Sequence, residues 1–275
     1  MSLKKDLKDK LSEEELKLLR RSFEIIGNIA VVEIPDELMS KKDLIISAII
    51  SRHKQVKTVL RKIGEVNGIF RVARFEKIYG KETETIAKEH GCKFLVDPTK
   101  VYFSSKLSGE RERVARLVGK GERVLVMFAG VGPFPIVIAK LSKAKEVIGI
   151  ELNSVAVDYF KKNIKINKVK NVVAIEGDVA EIIPKFEGKF DRILMPAPYS
   201  ADNFVHLVKN KVTKGGFIHY YTFESENLED RLPQKVEEIF FRNGVIVKKR
   251  FIRKCGSFAP YVNRYVLDLE YLGEV

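Results

Sequence analysis

The sequence has no tryptophan, two cysteines and four histidines in 275 residues. Cys92 and Cys255 cannot build a disulfide scaffold, and they suit a reducing compartment. Two Cys and four scattered His also argue against a zinc cage, so no metal is expected. No apolar run reaches the ~18 residues of a membrane helix; the best candidate, Phe128 to Leu141, is broken by Pro133 and Pro135. The amino terminus, Met1-Ser2-Leu3-Lys4-Lys5-Asp6, is charged and lacks the apolar stretch of a secretory signal. Ser104-Ser105 has no His or Asp at a spacing that would suggest a hydrolase. The expectation is a cytoplasmic protein that neither crosses nor sits on a membrane.

Positive charge is abundant. Fifty Lys and Arg face 37 Asp and Glu, a net +13, which favours a polyanionic partner through counter-ion release and steering. The competing explanation is general surface charge, since 32% charged residues also suit a heat-adapted protein. The excess is clustered, however. Residues 51–62 carry Arg52, Lys54, Lys57, Arg61 and Lys62; residues 161–170 carry Lys161, Lys162, Lys165, Lys168 and Lys170; residues 248–254 carry Lys248, Lys249, Arg250, Arg253 and Lys254. None of the three runs contains an acid. Nucleic acid is the expected partner, with Tyr and Phe as the stacking residues.

Apolar residues at 45% support a well-buried core, and the length allows one large or two modest domains. Leucines at 7, 11, 16 and 19 predict a helix over 4–20, with Ser12-Glu13-Glu14-Glu15 resembling a capping box. Strands follow at Phe23–Ile26 and Ile29–Ile34 across Gly27-Asn28, then a helix near Met39–His53 and a strand at Val56–Leu60. Gly64 to Gly68 reads as a loop, Phe70 to Ile78 as a strand, and Cys92 to Val96 as a short strand. These segments suggest a small α+β domain over 23–92, preceded by an N-terminal helix within 1–22. From Arg123 onward strands alternate with helices. Strands are expected at 124–128, 147–151, 172–176, 190–195 and 216–222, helices at 154–167 and near 232–243, and a closing antiparallel pair at 245–252 and 264–271. That order implies a doubly wound, Rossmann-like α/β sheet over 93–275, binding ligands at the carboxyl ends of its strands.

Three features fall on successive strand ends. Phe128-Ala129-Gly130-Val131-Gly132 runs from the first strand into a glycine turn, where Gly130 and Gly132 let the backbone approach a ligand. Pro135 stands where a dinucleotide fingerprint would have its third glycine, which argues against NAD. Glu151 ends the second strand, placed to accept from both hydroxyls of a ribose. Asp178 follows the third, placed to read an adenine amino group. Each alone could be a turn residue or a surface acid. Together they point to an adenosine-containing cofactor, and S-adenosylmethionine is favoured because the turn offers no full phosphate cradle.

From about Phe23 the chain resembles the archaeal and eukaryotic tRNA methyltransferases that act on N1 of the guanosine 3′ to the anticodon, and the related wybutosine-pathway aminocarboxypropyl transferases. The resemblance rests on 57–62 (Lys-Thr-Val-Leu-Arg-Lys), 80–86 (Gly-Lys-Glu-Thr-Glu-Thr-Ile) and 100–104 (Lys-Val-Tyr-Phe-Ser). It continues through Gly109-Glu110-Arg111, 128–134 (Phe-Ala-Gly-Val-Gly-Pro-Phe), Ile218-His219-Tyr220-Tyr221 and Phe258-Ala259-Pro260. It implies a class I methyltransferase domain behind a small substrate-side domain, with a flipped base held between the two. Many members carry a further N-terminal domain for the tRNA elbow; the chain has no room for it, which implies looser dependence on the tRNA body. The Pro133-Phe134 and His219-Tyr220-Tyr221 motifs resemble the methyltransferase branch better. Met195-Pro196-Ala197-Pro198-Tyr199 looks like one archaeal methyltransferase subgroup, some of whose members also methylate C7 of a wyosine precursor. A monomer is expected.

By the same resemblance, Phe103, Phe128, Gly130, Gly132, Glu151, Leu152, Asp178, Val179 and Pro196 hold the cofactor. Glu110 matches the general-base position that removes the N1 proton, and Arg71 the cation that steadies charge on O6. Such a base calls for a carboxyl partly buried under the bound nucleobase, with a raised pKa. Tyr102, Lys106, Arg111, Pro198 and Tyr199 are implied substrate contacts. From the residues alone, Glu110 reads as a helix-surface acid, and Lys106 and Arg111 as a solvated helix face. Two positions depart from the family pattern: Val126 replaces an acid that helps hold the methionine end of the cofactor, and Pro196 replaces an Asn that helps position the base. Methyl transfer to N1 of guanosine 37 is the implied reaction, aminocarboxypropyl transfer from the same cofactor to a wybutosine precursor is the first alternative, and these departures keep open a second, a tRNA-binding homologue with degraded catalysis. His219 reads as a satisfied core histidine.

Overall fold

The computed structural model describes residues 3–20, 23–67, 72–196 and 201–275. They divide into two compact units, Met1–Ser105 and Lys106–Val275. A boundary at 92/93, as the sequence suggests, would cut an antiparallel hairpin: Cys92–Val96 pairs along its whole length with Thr85–Glu89.

In the first unit the expected helix over 4–20 is two helices, α1 (Leu3–Asp6) and α2 (Glu13–Leu18). The capping box itself makes the break. The Ser12 hydroxyl accepts from Glu15 N at 3.2 Å, and the Glu15 carboxylate accepts from Ser12 N at 2.8 Å. An N-cap residue must leave helical geometry, and Ser12 sits at φ −65, ψ 164. Strands β1 (Glu24–Ile26) and β2 (Ile29–Val32) form a hairpin whose turn uses Gly27 at φ +58. A 3-10 turn, Asp36–Lys41, leads into α3 (Lys42–Arg52). Strands β3 (Thr58–Asn67) and β4 (Val72–Tyr79) complete a sheet of order β1-β2-β3-β4. The loop expected at Gly64–Gly68 is strand as far as Asn67, with a register shift between Ile63 and Asn67 that accommodates Gly64 at φ +73. Strands β5 (Thr85–Glu89) and β6 (Cys92–Val96) make a separate hairpin. The core joins Leu3, Leu7, Ile45, Ile49 and Val59.

The second unit begins with α4 (Ser108–Leu117), β7 (Arg123–Val126), α5 (Pro133–Leu141), β8 (Glu146–Glu151), α6 (Ser154–Asn167) and β9 (Val172–Glu176). It continues with α7 (Val179–Ile182), β10 (Phe190–Met195), β11 (Val212–Ser225), α8 (Leu232–Arg242), β12 (Val245–Ala259) and β13 (Val262–Glu274). The seven-stranded sheet has the order β12-β13-β11-β10-β7-β8-β9. Strands β7 to β11 are parallel, while β13 runs antiparallel to both β11 and β12. The parallel strands are nearly all apolar because both faces are covered: Leu125, Met127, Ile148, Ile193, Met195 and Ile218 pack into one core with Val236 and Phe240 of α8. Strand order reverses beside β7, which lies between β8 and β10. The crevice at their carboxyl ends is where doubly wound sheets bind ligands.

Candidate active site

The turn after β7 is conformationally unusual. Phe128, Gly130 and Gly132 all have positive φ, at 53, 56 and 86. A left-handed phenylalanine at a strand end is a position that surrounding structure must impose; the Phe128 ring packs edge-on to Phe204 at 5.0 Å. Gly132 has a packing reason beyond ligand approach. A Cβ there would lie 2.0 Å from Phe160 Cδ2, and one on Gly149 of β8 would lie 2.6 Å from Phe160 Cε1. The two glycines together seat the Phe160 ring of α6 against the sheet. The helix start itself is a poor anion site: Pro133 and Pro135 lack N–H groups, and Ile136 N already donates to Gly132 O at 3.1 Å.

The neighbouring strand ends carry the acids. Glu151 accepts from Gly130 N at 2.7 Å and from Asn153 N at 2.9 Å, one bond to each carboxylate oxygen. About two of a carboxylate's four acceptor positions are thereby used, leaving capacity for hydroxyl donors. The Glu151 contact also ties the β7 turn to the end of β8. Leu152 beside it is 42% exposed, an apolar surface at the crevice rim. Asp178 caps α7 by accepting from Ala180 N at 2.8 Å, and Val179 is buried behind it. Pro196 closes β10, half-buried. Val126 is fully buried in β7, between Gly149 and Leu194 in register. This donor set fits an adenosine-type cofactor: a carboxylate at the second strand end, another at the third, and an apolar rim between them.

Glu110 is not a helix-surface acid. It is 4% exposed, on the buried face of α4. Its Oε1 accepts from Arg113 Nη2 at 2.8 Å and from the Tyr221 hydroxyl at 2.9 Å; its Oε2 accepts from Arg113 Nε at 2.9 Å. Arg113 forks a second time onto Asp268, with Nη1 to Oδ2 at 2.6 Å and Nη2 to Oδ1 at 2.9 Å. Asp268 Oδ1 also pairs with His219 Nδ1 at 2.6 Å, and His219 Nε2 with Arg192 Nη1 at 2.8 Å. Arg192 ends the series on Glu122, at 2.8 and 3.0 Å, and on Leu117 O at 2.9 Å.

At Arg113 and Asp268 burial opposes the charge, and the pairing outweighs it. Arg113 is held above its ordinary pKa by Glu110 and Asp268. The Asp268 carboxyl is held far below the usual carboxylate range by His219 and Arg113. Burial pushes Tyr221 up, and the Glu110 charge adds to it. Burial, then the Glu110 charge, pushes the Cys255 thiol up to about 12.

The helix that follows the β7 turn and Glu110 share one packed cluster. Phe134, in the first turn of α5, sits edge-on to Tyr221 at 5.9 Å between ring centres, and the guanidinium of Arg111 lies 5.8 Å from the Phe134 centroid. Arg111 is 2% exposed, which excludes the solvated helix face. Lys106, just before α4, is exposed. In the first unit Tyr102 is 39% exposed, while Phe103 is buried against Phe94 at 6.0 Å. Arg71, Pro198 and Tyr199 lie outside the described residues. Sequence reasoning missed Arg113, Asp268 and Arg192. The one local signal was the Glu110–Arg113 spacing, which places both on one helix face.

The three basic runs separate. In the first, Arg61 is buried on Asp36, Glu76 and Ile34 O, Arg52 pairs with Asp6, and Lys62 with Glu33. In the third, Arg250 pairs with Glu270 and Lys254 with Glu226. Among the described residues no carboxylate pairs with Lys161, Lys162, Lys165, Lys168 or Lys170, all of them exposed on or just beyond α6.

Residues 85–247 match the TRM5/TYW2 methyltransferase domain, and residues 3–83 the TYW2 N-terminal domain. The chain is 41% identical over 263 residues to the tRNA (guanine(37)-N(1))-methyltransferase Trm5b of Pyrococcus abyssi, covering 93% of this chain and 76% of that one. It is 37% identical over 255 residues to the tRNA 4-demethylwyosine(37)-methyltransferase Taw21 of Saccharolobus solfataricus, covering 91% and 94%. The crystal structure of P. abyssi Trm5b matches with a TM-score of 0.84 at 39% identity, over 95% of this chain and 78% of that one. The complex of aTrm5 with tRNALeu matches with a TM-score of 0.84 at 32% identity, over 98% and 78%. Pyrococcus horikoshii TYW2 in complex with MeSAdo gives 0.77 at 32% identity, over 98% of both chains. A doubly wound sheet with acids on successive strand ends, a matched domain spanning more than half the sequence and relatives similar over nearly its whole length lead to one conclusion: this chain belongs to the TRM5/TYW2 methyltransferase family.

Proposed function

We propose that the protein is an S-adenosylmethionine-dependent tRNA methyltransferase acting on N1 of guanosine 37. The observation that carries this reading is the contact series from Phe134, two residues past Gly132, through Tyr221 to Glu110, which packs the helix behind the glycine turn against a buried carboxylate. The relatives named for guanine-37 N1 methylation and the relative solved with tRNA support the substrate.

Glu151 would accept from the ribose hydroxyls, Asp178 from the adenine amino group, and Leu152 would cover the adenine edge. When bound, the cofactor supplies an electrophilic methyl on a sulfonium that leaves as a neutral thioether. The chain's own residues handle the proton. Three of the roughly four acceptor positions on the Glu110 carboxylate are occupied, leaving one on Oε2 to take the N1 proton. Arg71 would steady the charge developing on O6. Lys161, Lys162 and Lys165 would meet the phosphate backbone.

A second reading has its own support. The near-complete reciprocal coverage with a 4-demethylwyosine methyltransferase favours methylation of a wyosine precursor, and aminocarboxypropyl transfer is the alternative within the same family. The test uses tRNA carrying either guanosine or 4-demethylwyosine at position 37, with cofactor labelled in the methyl or in the carboxypropyl carbons. Methyl label at guanosine 37 is the expected result. Methyl label on 4-demethylwyosine alone, or carboxypropyl label, replaces it with the corresponding alternative.

A further inference from the structure

We infer that Arg113 and Asp268 are positioning residues for the base Glu110. They hold its carboxylate in one orientation, and Asp268 keeps the buried Arg113 guanidinium paired once Glu110 takes a proton. This rests on the proposed role of Glu110.

The geometric half follows from the bonds. Arg113 grips both oxygens of Glu110, so the carboxylate plane cannot rotate, and Tyr221 fills the second position on Oε1. Arg113 is itself fixed by the two bonds to Asp268, and Asp268 by His219. The support reaches β13 through Asp268 and β11 through His219 and Tyr221, so the acceptor left on Oε2 has a direction set by the sheet.

The electrostatic half concerns charge. A pair made of Glu110 and Arg113 alone would leave a buried, unpaired guanidinium each time Glu110 became protonated, and that cost would oppose proton uptake. With Asp268 present, the proton leaves an Arg113–Asp268 pair of zero net charge. Among the described residues, the groups facing Glu110 are Arg113 on its own helix, Tyr221 from β11, Cys255 from β12 with Arg253 and Arg264 beside it, and Asp268 from β13. His219 is neutral and adds no charge, because Arg192 can only donate to its Nε2.

The measurement is the single-turnover rate of methyl transfer against pH, with enzyme and cofactor saturating, for wild type, Asp268→Asn and Arg113→Gln. Removing the Asp268 charge should move the acidic limb to lower pH, and removing the Arg113 charge should move it to higher pH, each by about one unit or more. Arg113→Lys, which keeps the charge but not the fork, should leave the limb in place and lower the plateau at least about tenfold. If one variant does not fold, the other still tests the sign of its own shift. Slower rates with an unmoved limb, or both limbs moving the same way, would overturn the inference. Glu110→Gln separates this failure from that of the underlying reading: if it turns over like wild type, Glu110 is not the base and the inference falls with that role.

Discussion

Arg192 meets Nε2 of His219 at 2.8 Å, and this contact decides the state of the imidazole. A guanidinium has no acceptor, so Nε2 must accept, and the ring is neutral with its proton on Nδ1, donated to Asp268 at 2.6 Å. Burial is the largest cause holding His219 below its ordinary 6.5, and it prevails over the Asp268 carboxylate.

A pH dependence of folding follows. The unfolded chain binds a proton on this residue below about 6.5, while the folded chain resists it. The stability associated with neutral His219 is therefore complete above that value and is lost as pH falls toward the folded-state pKa, with a slope of at most ~1.4 kcal/mol per pH unit. Urea melts between pH 8 and 5 should show the decline, and His219→Gln, which keeps one donor and one acceptor, should flatten it. Identical slopes in the two proteins would contradict this account of the imidazole.

Gly132→Ala should destabilise the fold by about 2–4 kcal/mol, because the added methyl meets the Phe160 ring at a positive φ. Denaturant titration reads this directly. A loss under ~0.5 kcal/mol would mean that the ring can move aside at little cost.

Both thiols should be slow to react. Cys92 is 1% exposed, and Cys255 is pushed up to about 12, so the thiolate is scarce at pH 8. Ellman's reagent should find almost no thiol in the native protein and two after denaturation. Rapid native labelling of Cys255 would show that β12 opens away from Glu110.

Replacing Lys161, Lys162 and Lys165 with glutamine should make the salt dependence of tRNA binding shallower, by up to ~0.9 in log–log slope for each duplex phosphate lost. The same substitutions should leave cofactor affinity unchanged. An unaltered slope would return this face of α6 to ordinary solvation.

The alternating half of the fold was the most legible from sequence. Helix Ser154–Asn167 and strands Val172–Glu176 and Phe190–Met195 occur at the expected residues, because a buried parallel strand is a continuous apolar run and an amphipathic helix has its own period. The misreadings had local causes. Gly64 suggested a loop where it serves a register shift within β3, and β5 escaped notice because Thr85–Glu89 alternates too briefly among charged neighbours. The acids at the strand ends could be placed because each follows its strand directly. The environment of Glu110 could not: Tyr221 and Asp268 reach it from strands more than a hundred residues away, and only sheet order brings them to α4. Basic runs were visible as runs, but Arg61 is a buried structural cation, a fact set by Asp36 and Glu76.

The central claim is that adenosine is held at the ends of β7, β8 and β9, and calorimetric titration with S-adenosylhomocysteine tests it most directly. Wild type should bind the compound, and Glu151→Ala should bind at least about tenfold more weakly, a loss of ~1.4 kcal/mol, in a protein that still melts cooperatively. No heat of binding in wild type, or equal affinity in the variant, would contradict the account.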